Sequence, residues 1–172
     1  MAIVLVGPPG AGKSTIGRAL AARLGTRHLD TDAMVEAQAG ATIADLFVSQ
    51  GEPAFRALEA QAVREALIAA DEPTRGGVVS VGGGAILNAG TRDLLADHTV
   101  VWLEVDLSTA VSRVGMNTAR PLLLGNVRQT MGRLMAEREP LYAQVSDMRV
   151  DTVQLTPDEI VDAILAAGPV MS

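Results

Sequence analysis

A chain of 172 residues, 48% of them hydrophobic, is the right size for one domain built round one buried core, and its formal net charge is -6. That acidity argues against nucleic acid or an anionic membrane as a partner, because both select an excess of Lys and Arg. With no cysteine, the chain has no disulfide framework, thiolate metal site or thiol nucleophile, which suits a reducing cytoplasm.

The opening Met-Ala-Ile-Val-Leu-Val is apolar but lacks the basic leader and long apolar stretch of a secretory signal, so it reads as a strand. Gly7-Pro8-Pro9-Gly10-Ala11-Gly12-Lys13-Ser14 follows it and matches the full phosphate-loop pattern between a strand and a helix. Glycines turn the backbone so that its N–H groups face inward, and the following helix N-terminus adds positive potential for a polyphosphate. Gly10, Ala11, Gly12, Lys13, Ser14 and Thr15 are therefore candidate nucleotide-binding residues. Lys13 is expected at the β- and γ-phosphates, and the Ser14 hydroxyl is a ligand for Mg2+.

Lys13 to Leu24 is apolar at helical spacing, with Gly25 as a stop. Arg27-His28-Leu29 forms a short candidate strand ahead of Asp30-Thr31-Asp32. Alternate residues of an extended segment share a side, so both carboxylates are expected to face the nucleotide, one near the metal and one on an acceptor hydroxyl. The plain alternative for such a pair is helix capping. Thr42 reads as an N-cap for the helix that follows. Further strands are expected at Gly77 to Val81, Thr99 to Val105 and Met148 to Val150, with flexible segments over 71–76 and 115–127. Gly82-Gly83-Gly84 follows the Gly77 to Val81 strand directly, where backbone can approach a ligand that a β-carbon would obstruct. Thr156-Pro157-Asp158-Glu159 combines an N-cap, a proline at the first helical position and a capping-box acid ahead of a terminal helix. No run approaches the roughly 20 apolar residues of a membrane span.

A phosphate loop alone does not name the phosphate acceptor. A GTP switch is disfavoured because a guanine-reading Asn-Lys-x-Asp is impossible where Lys13 is the only lysine. The phosphate loop, Asp30-Thr31-Asp32, Phe55-Arg56-x-x-Glu59, Gly82-Gly83-Gly84, Arg120-Pro121-Leu122 and Arg138 within Glu137-Arg138-Glu139-Pro140-Leu141-Tyr142 occur in an order that resembles shikimate kinase over nearly the whole chain.

The resemblance implies a single-domain α/β fold of three layers. In it, a mostly parallel five-stranded sheet lies between helices, with a substrate-binding helical segment at about 31–62 and a mobile lid at about 115–127. It implies ATP-dependent phosphorylation of the 3-hydroxyl of shikimate, a step of aromatic amino-acid biosynthesis, with Mg2+, by a cytoplasmic monomer. Carried over by position, Asp32 holds the substrate hydroxyls and acts as base, and Asp30 joins Ser14 at the metal. Arg56, Arg138 and Gly82 to Gly84 hold shikimate, Arg120 approaches the phosphates from the lid, and Arg113 and Pro157 border the adenine. Phe47 and Phe55 are pocket-lining or core residues. The arginines suit the chemistry, since a carboxylate is best met by planar, permanently charged forks, and Glu59 lies one turn from Arg56 to hold it. The remaining readings are gluconate kinase, a nucleoside-monophosphate kinase, or a nucleotide-dependent regulatory module with little turnover.

Overall fold

The computed structural model describes residues 1–71, 76–115 and 126–168. Five strands, β1 (Ile3–Val6), β2 (Arg27–Asp30), β3 (Gly77–Ser80), β4 (Thr99–Glu104) and β5 (Met148–Asp151), form one sheet of order β2-β3-β1-β4-β5, every pairing parallel. Among the described residues seven α-helices cover it: α1 (Lys13–Leu24), α2 (Thr31–Ala39), α3 (Ile43–Ala70), α4 (Ala89–Leu95), α5 (Leu107–Gly115), α6 (Val127–Val145) and α7 (Pro157–Ala166). A single 3-10 turn at Ala85–Leu87 precedes α4. The three-layer α/β fold that the resemblance implies is the one observed.

Strand periodicity explains the layers. Ile3, Leu5, Val78, Val101 and Leu103 point to one face of the sheet, where Ile16 and Leu20 of α1 and Ile160, Val161 and Ile164 of α7 meet them. Val4, Val6, Val79, Val100 and Trp102 point to the other, against Val63, Ala66 and Leu67 of α3 and Leu95 of α4. A strand buried on both faces has no polar positions to spare, which is why β1 reads as an unbroken apolar run. β2, at the sheet edge, has no fully buried residue and so leaves only a three-residue trace in the sequence.

Helix ends follow the local chemistry. Thr42 accepts from the Asp45 N–H, and Thr156 forms a full capping box with Glu159; each such cap is worth about 1 kcal/mol. Gly25, at φ 65, closes α1 by bonding back to the Ala21 and Ala22 carbonyls. α3 is broken at Gly51, whose φ of 82 and ψ of 168 no helix accommodates, and restarts just ahead of Pro53. A small separate core of Val35, Leu46, Phe55 and Ala62 joins α2 to α3. Within it the Phe47 and Phe55 rings pack at 4.7 Å.

Candidate active site

The candidate residues gather at the carboxyl ends of the strands, where open α/β sheets place their ligand crevices. β1 runs into the phosphate loop, β2 ends on Asp30, and β3 is followed, after Val81, by Gly82 to Gly84. A cleft of about 410 Å³ is lined by Gly10, Gly12, Lys13, Ser14 and Thr15 together with Asp30, Asp32 and Arg113.

The phosphate loop is held from several sides. Gly10 (φ 83) and Gly12 (φ 89) adopt left-handed backbone, and a β-carbon on Gly10 would sit 2.8 Å from the Ala110 carbonyl oxygen of α5. The Lys13 ammonium donates to the Gly7 and Pro8 carbonyls at 2.8 and 3.0 Å, folding over the loop it belongs to. Arg113 donates to the Gly10 carbonyl at 3.1 Å and to the Thr152 carbonyl at 3.1 Å, tying the loop to the chain that leaves β5. Pro157 opens α7 and is not among the residues lining the cleft.

The acidic pair behaves differently from the strand alternation expected of it. Asp30 is the last residue of β2, and Asp32 already belongs to the first turn of α2, so the two do not share a strand face. Asp30 instead divides its oxygens. Oδ1 caps α2 by accepting from the Asp32 and Ala33 N–H groups at 3.1 and 3.4 Å, and Oδ2 accepts from Ser14 Oγ at 2.5 Å. The capping reading is thus realised by Oδ1, while Oδ2 is directed to the phosphate-loop hydroxyl of Ser14. Its pairing with Ser14 assembles hard oxygen donors at the foot of α1, the donor type that suits Mg2+.

Asp32 turns toward the triple glycine. A β-carbon on Gly82 would fall 2.5 Å from Asp32 Oδ1 and 2.5 Å from Glu59 Oε1, so those carboxylate oxygens flank the glycine no more than twice that distance apart. On Gly84 a β-carbon would lie inside the Arg56 guanidinium, 2.6 Å from Nη2, and on Gly83 it would meet Pro9 Cδ at 3.0 Å. A β-carbon at Gly82 or Gly84 would therefore displace Asp32, Glu59 or Arg56, whereas one at Gly83 needs Pro9 to yield by only a few tenths of an ångström.

Two arginines from different helices converge on this turn. Arg56 of α3 lies over Gly84 and donates from Nη1 to Glu59 Oε2 at 2.6 Å. Arg138 of α6, only 4% exposed, donates from Nη1 to the Gly83 carbonyl at 3.1 Å, and its buried Nε has no hydrogen-bond partner. Tyr142, one turn on, donates its hydroxyl to the same carbonyl at 2.6 Å. Burial pushes the Glu59 carboxyl above its ordinary range, with Arg56 opposing and Asp32 reinforcing the rise. Burial also drives the Tyr142 hydroxyl far above its usual value, so it remains a neutral donor. Burial works against the charge of Arg56, yet Glu59 and Glu52 together hold its guanidinium above the ordinary value.

A family model described as Shikimate kinase matches residues 9–168. The chain belongs to the shikimate kinase family. A shikimate kinase of Thermobifida fusca is 55% identical over 166 residues, covering 96% of this chain and 94% of its own length. One of Mycobacterium tuberculosis is 51% identical over 164 residues, covering 95% and 90%. Among solved structures, shikimate kinase from Acinetobacter baumannii in complex with shikimate superposes with a TM-score of 0.88 at 36% identity, covering 96% of this chain and 91% of that one. Shikimate kinase from Aquifex aeolicus gives a TM-score of 0.81 at 28% identity, covering 97% and 95%.

Within this shikimate kinase fold, the residues singled out from sequence divide into three groups. Gly10, Gly12 to Thr15, Asp30, Asp32 and Arg113 line one cleft, Ala11 of the same loop being buried in the core, and Arg56, Glu59, Gly82 to Gly84 and Arg138 meet at one turn beside it. Pro157, at the start of α7, is not among the residues lining the cleft. Arg120 and most of the expected lid at 115–127 lie outside the described residues, as does most of the 71–76 segment. Four contributors have no motif of their own. Ser80 is buried and donates to the Lys13 carbonyl at 3.0 Å while meeting His28 Nε2 at 2.9 Å. Thr31, fully buried, accepts from the Gly82 N–H. Tyr142 holds Gly83, and Arg18 lines the cleft. A hydroxyl inside an otherwise apolar strand, as at Ser80, and a tyrosine four residues from a functional arginine were the available signals.

Proposed function

We propose that the chain transfers the γ-phosphoryl group of ATP to the 3-hydroxyl of shikimate, giving shikimate 3-phosphate and ADP. The observation that carries this reading is the convergence of Arg56 and Arg138 on the triple glycine, beside a phosphate loop. Arg56 spends only some of its donors on Glu52 and Glu59, and the buried Arg138 gives one to a carbonyl and none from Nε; a carboxylate is the natural partner for the planar N–H forks that remain. The Acinetobacter baumannii relative, solved with shikimate, supports the choice of acid.

In this reading the inward N–H groups of the loop from Gly10 to Thr15 cradle the phosphates, Lys13 neutralises charge on the β- and γ-phosphates, and Arg113 and Pro157 border the adenine. Ser14 and Asp30 would hold Mg2+, which would supply neutralisation of phosphate charge. Asp32 accepts a hydrogen bond from the attacking hydroxyl and takes its proton as the new P–O bond forms. Arg56 and Arg138 fix the acceptor carboxylate, so that the hydroxyl is presented in line with the loop. By the family resemblance, Arg120 and the 115–127 segment, mostly outside the described residues, would supply the lid that keeps water, a competing acceptor, from the phosphates. The working unit is a monomer acting in the cytoplasm; among the described residues no helix is long and apolar enough to cross a membrane.

The test is ADP release with MgATP against shikimate, gluconate, nucleoside monophosphates and buffer. Strong stimulation by shikimate alone is expected. Stimulation by another acceptor with shikimate inert would overturn the assignment.

A further inference from the structure

The Arg56 guanidinium is fixed on more sides than a simple ion pair requires. Its Nη1 donates to Glu59 Oε2 at 2.6 Å, its Nε and Nη2 both donate to Glu52 Oε1 at 3.3 and 3.1 Å, and it lies 5.2 Å from the centre of the Phe55 ring. The backbone of Gly84 passes directly against it. The two glutamates differ in kind. The Glu59 side chain is 4% exposed, whereas that of Glu52 is 49% exposed, too open to water for its ion pair to add much to folding stability.

An arginine has five N–H donors, one on Nε and two on each terminal nitrogen. Glu52 takes the Nε proton and one on Nη2, and Glu59 takes one on Nη1. One donor is then left on each terminal nitrogen, the two nitrogens across which a carboxylate can be received end-on. Glu52 reaches this position because the chain breaks at Gly51 and starts a fresh helical run, placing its carboxylate in a first turn, where the helix dipole favours negative charge, and one turn before Arg56.

We propose that Glu52 is a positioning residue for acceptor recognition: it occupies the side fork of Arg56 so that the acceptor's carboxylate is received end-on by Nη1 and Nη2. This rests on the reading that Arg56 binds that carboxylate. It makes Glu52 part of acceptor selectivity although it touches no substrate. An acceptor whose acid group arrives from the Nε side meets the Glu52 carboxylate and is repelled.

The experiment compares Glu52→Ala, Glu52→Gln and Arg56→Lys by steady-state kinetics and thermal melting. Glu52→Ala is expected to raise KM for shikimate on the order of five- to tenfold, the scale of one partly exposed charged contact, leaving KM for MgATP and the melting temperature unchanged. Glu52→Gln retains an oxygen that accepts from Nε and Nη2 and is expected to restore most of the lost affinity. Arg56→Lys keeps a charge beside Glu59 but removes the fork. If it raises KM for shikimate while Glu52→Ala does not, the positioning role is overturned and the carboxylate reading stands. If Arg56→Lys leaves KM for shikimate unchanged, the carboxylate reading fails and the inference with it. A lowered melting temperature in Glu52→Ala without rescue by Glu52→Gln would reduce Glu52 to a structural residue. In a shikimate complex, a carboxylate that displaces Glu52 from Nε would likewise overturn the proposal.

Discussion

Replacing Gly84 with alanine adds one methyl group where the structure leaves no room for it. The backbone is not the obstacle, since Gly84 has φ -103 and ψ -5, which any residue adopts. The obstacle is Arg56: the new carbon would lie 2.6 Å from Nη2 and 2.7 Å from Cζ, where ordinary contact begins at 3.4 Å. The guanidinium must therefore retreat by roughly 1 Å, a displacement that costs on the order of a hundredfold when it misplaces a substrate-orienting group. The same retreat pulls Nη1 from Glu59, a buried charged hydrogen bond worth about 1.5–3 kcal/mol. A fall of about 10- to 100-fold in kcat/KM for shikimate is expected, with KM for MgATP little changed because the phosphate loop lies on another side of the turn. Steady-state kinetics with each substrate varied in turn measures both. Unchanged kcat/KM for shikimate in a folded Gly84→Ala protein would refute the view that Arg56 must lie against this backbone to act.

Other expected outcomes probe separate parts of the site. Asp32→Asn should abolish phosphoryl transfer while MgATP binding, followed by calorimetry, persists; near-normal turnover would remove Asp32 from catalysis. Asp30→Asn keeps an N-cap side chain for α2, so the melting temperature should hold while the Mg2+ concentration needed for half-maximal activity rises; an unchanged Mg2+ requirement would place the ion elsewhere. His98, away from the site, accepts from the Ala2 N–H through Nδ1, and burial lowers its pKa against the raising influence of Asp71. A lowered folded-state pKa means the unfolded chain takes up the proton first. Stability from His98 is thus present above about pH 6.5 and is lost as pH falls below it. Thermal melts from pH 7.5 to 5 should show that loss, and His98→Gln should flatten it; an identical slope in the variant would exclude His98 as its source.

Much of this was legible in the chain because it rests on short-range chemistry. Thr42, Gly25 and the Thr156 capping box act within a few residues, so their signals survive in sequence, as does the strand-loop-helix context of Gly7 to Ser14. The edge strand β2 was fainter because it buries no residue fully and so shows no apolar run. Asp30 and Asp32 were placed correctly beside the phosphate loop by the wrong geometry. Alternation along a strand was expected, but helix α2 begins between them. The triple glycine announced a close approach, though not that the approaching groups are Asp32, Glu59 and Arg56. Ser80, Thr31 and Tyr142 act across 67, 51 and 59 residues of sequence. Only the folded sheet brings such partners together, and no local pattern encodes them.

The most direct measurement is the identity of the phosphorylated product. After incubation with MgATP and shikimate, phosphorus and proton NMR should show one new phosphomonoester coupled to the proton at carbon 3, with ADP formed in equal amount. ADP accompanied only by inorganic phosphate, or a phosphoester at another hydroxyl, would contradict the account.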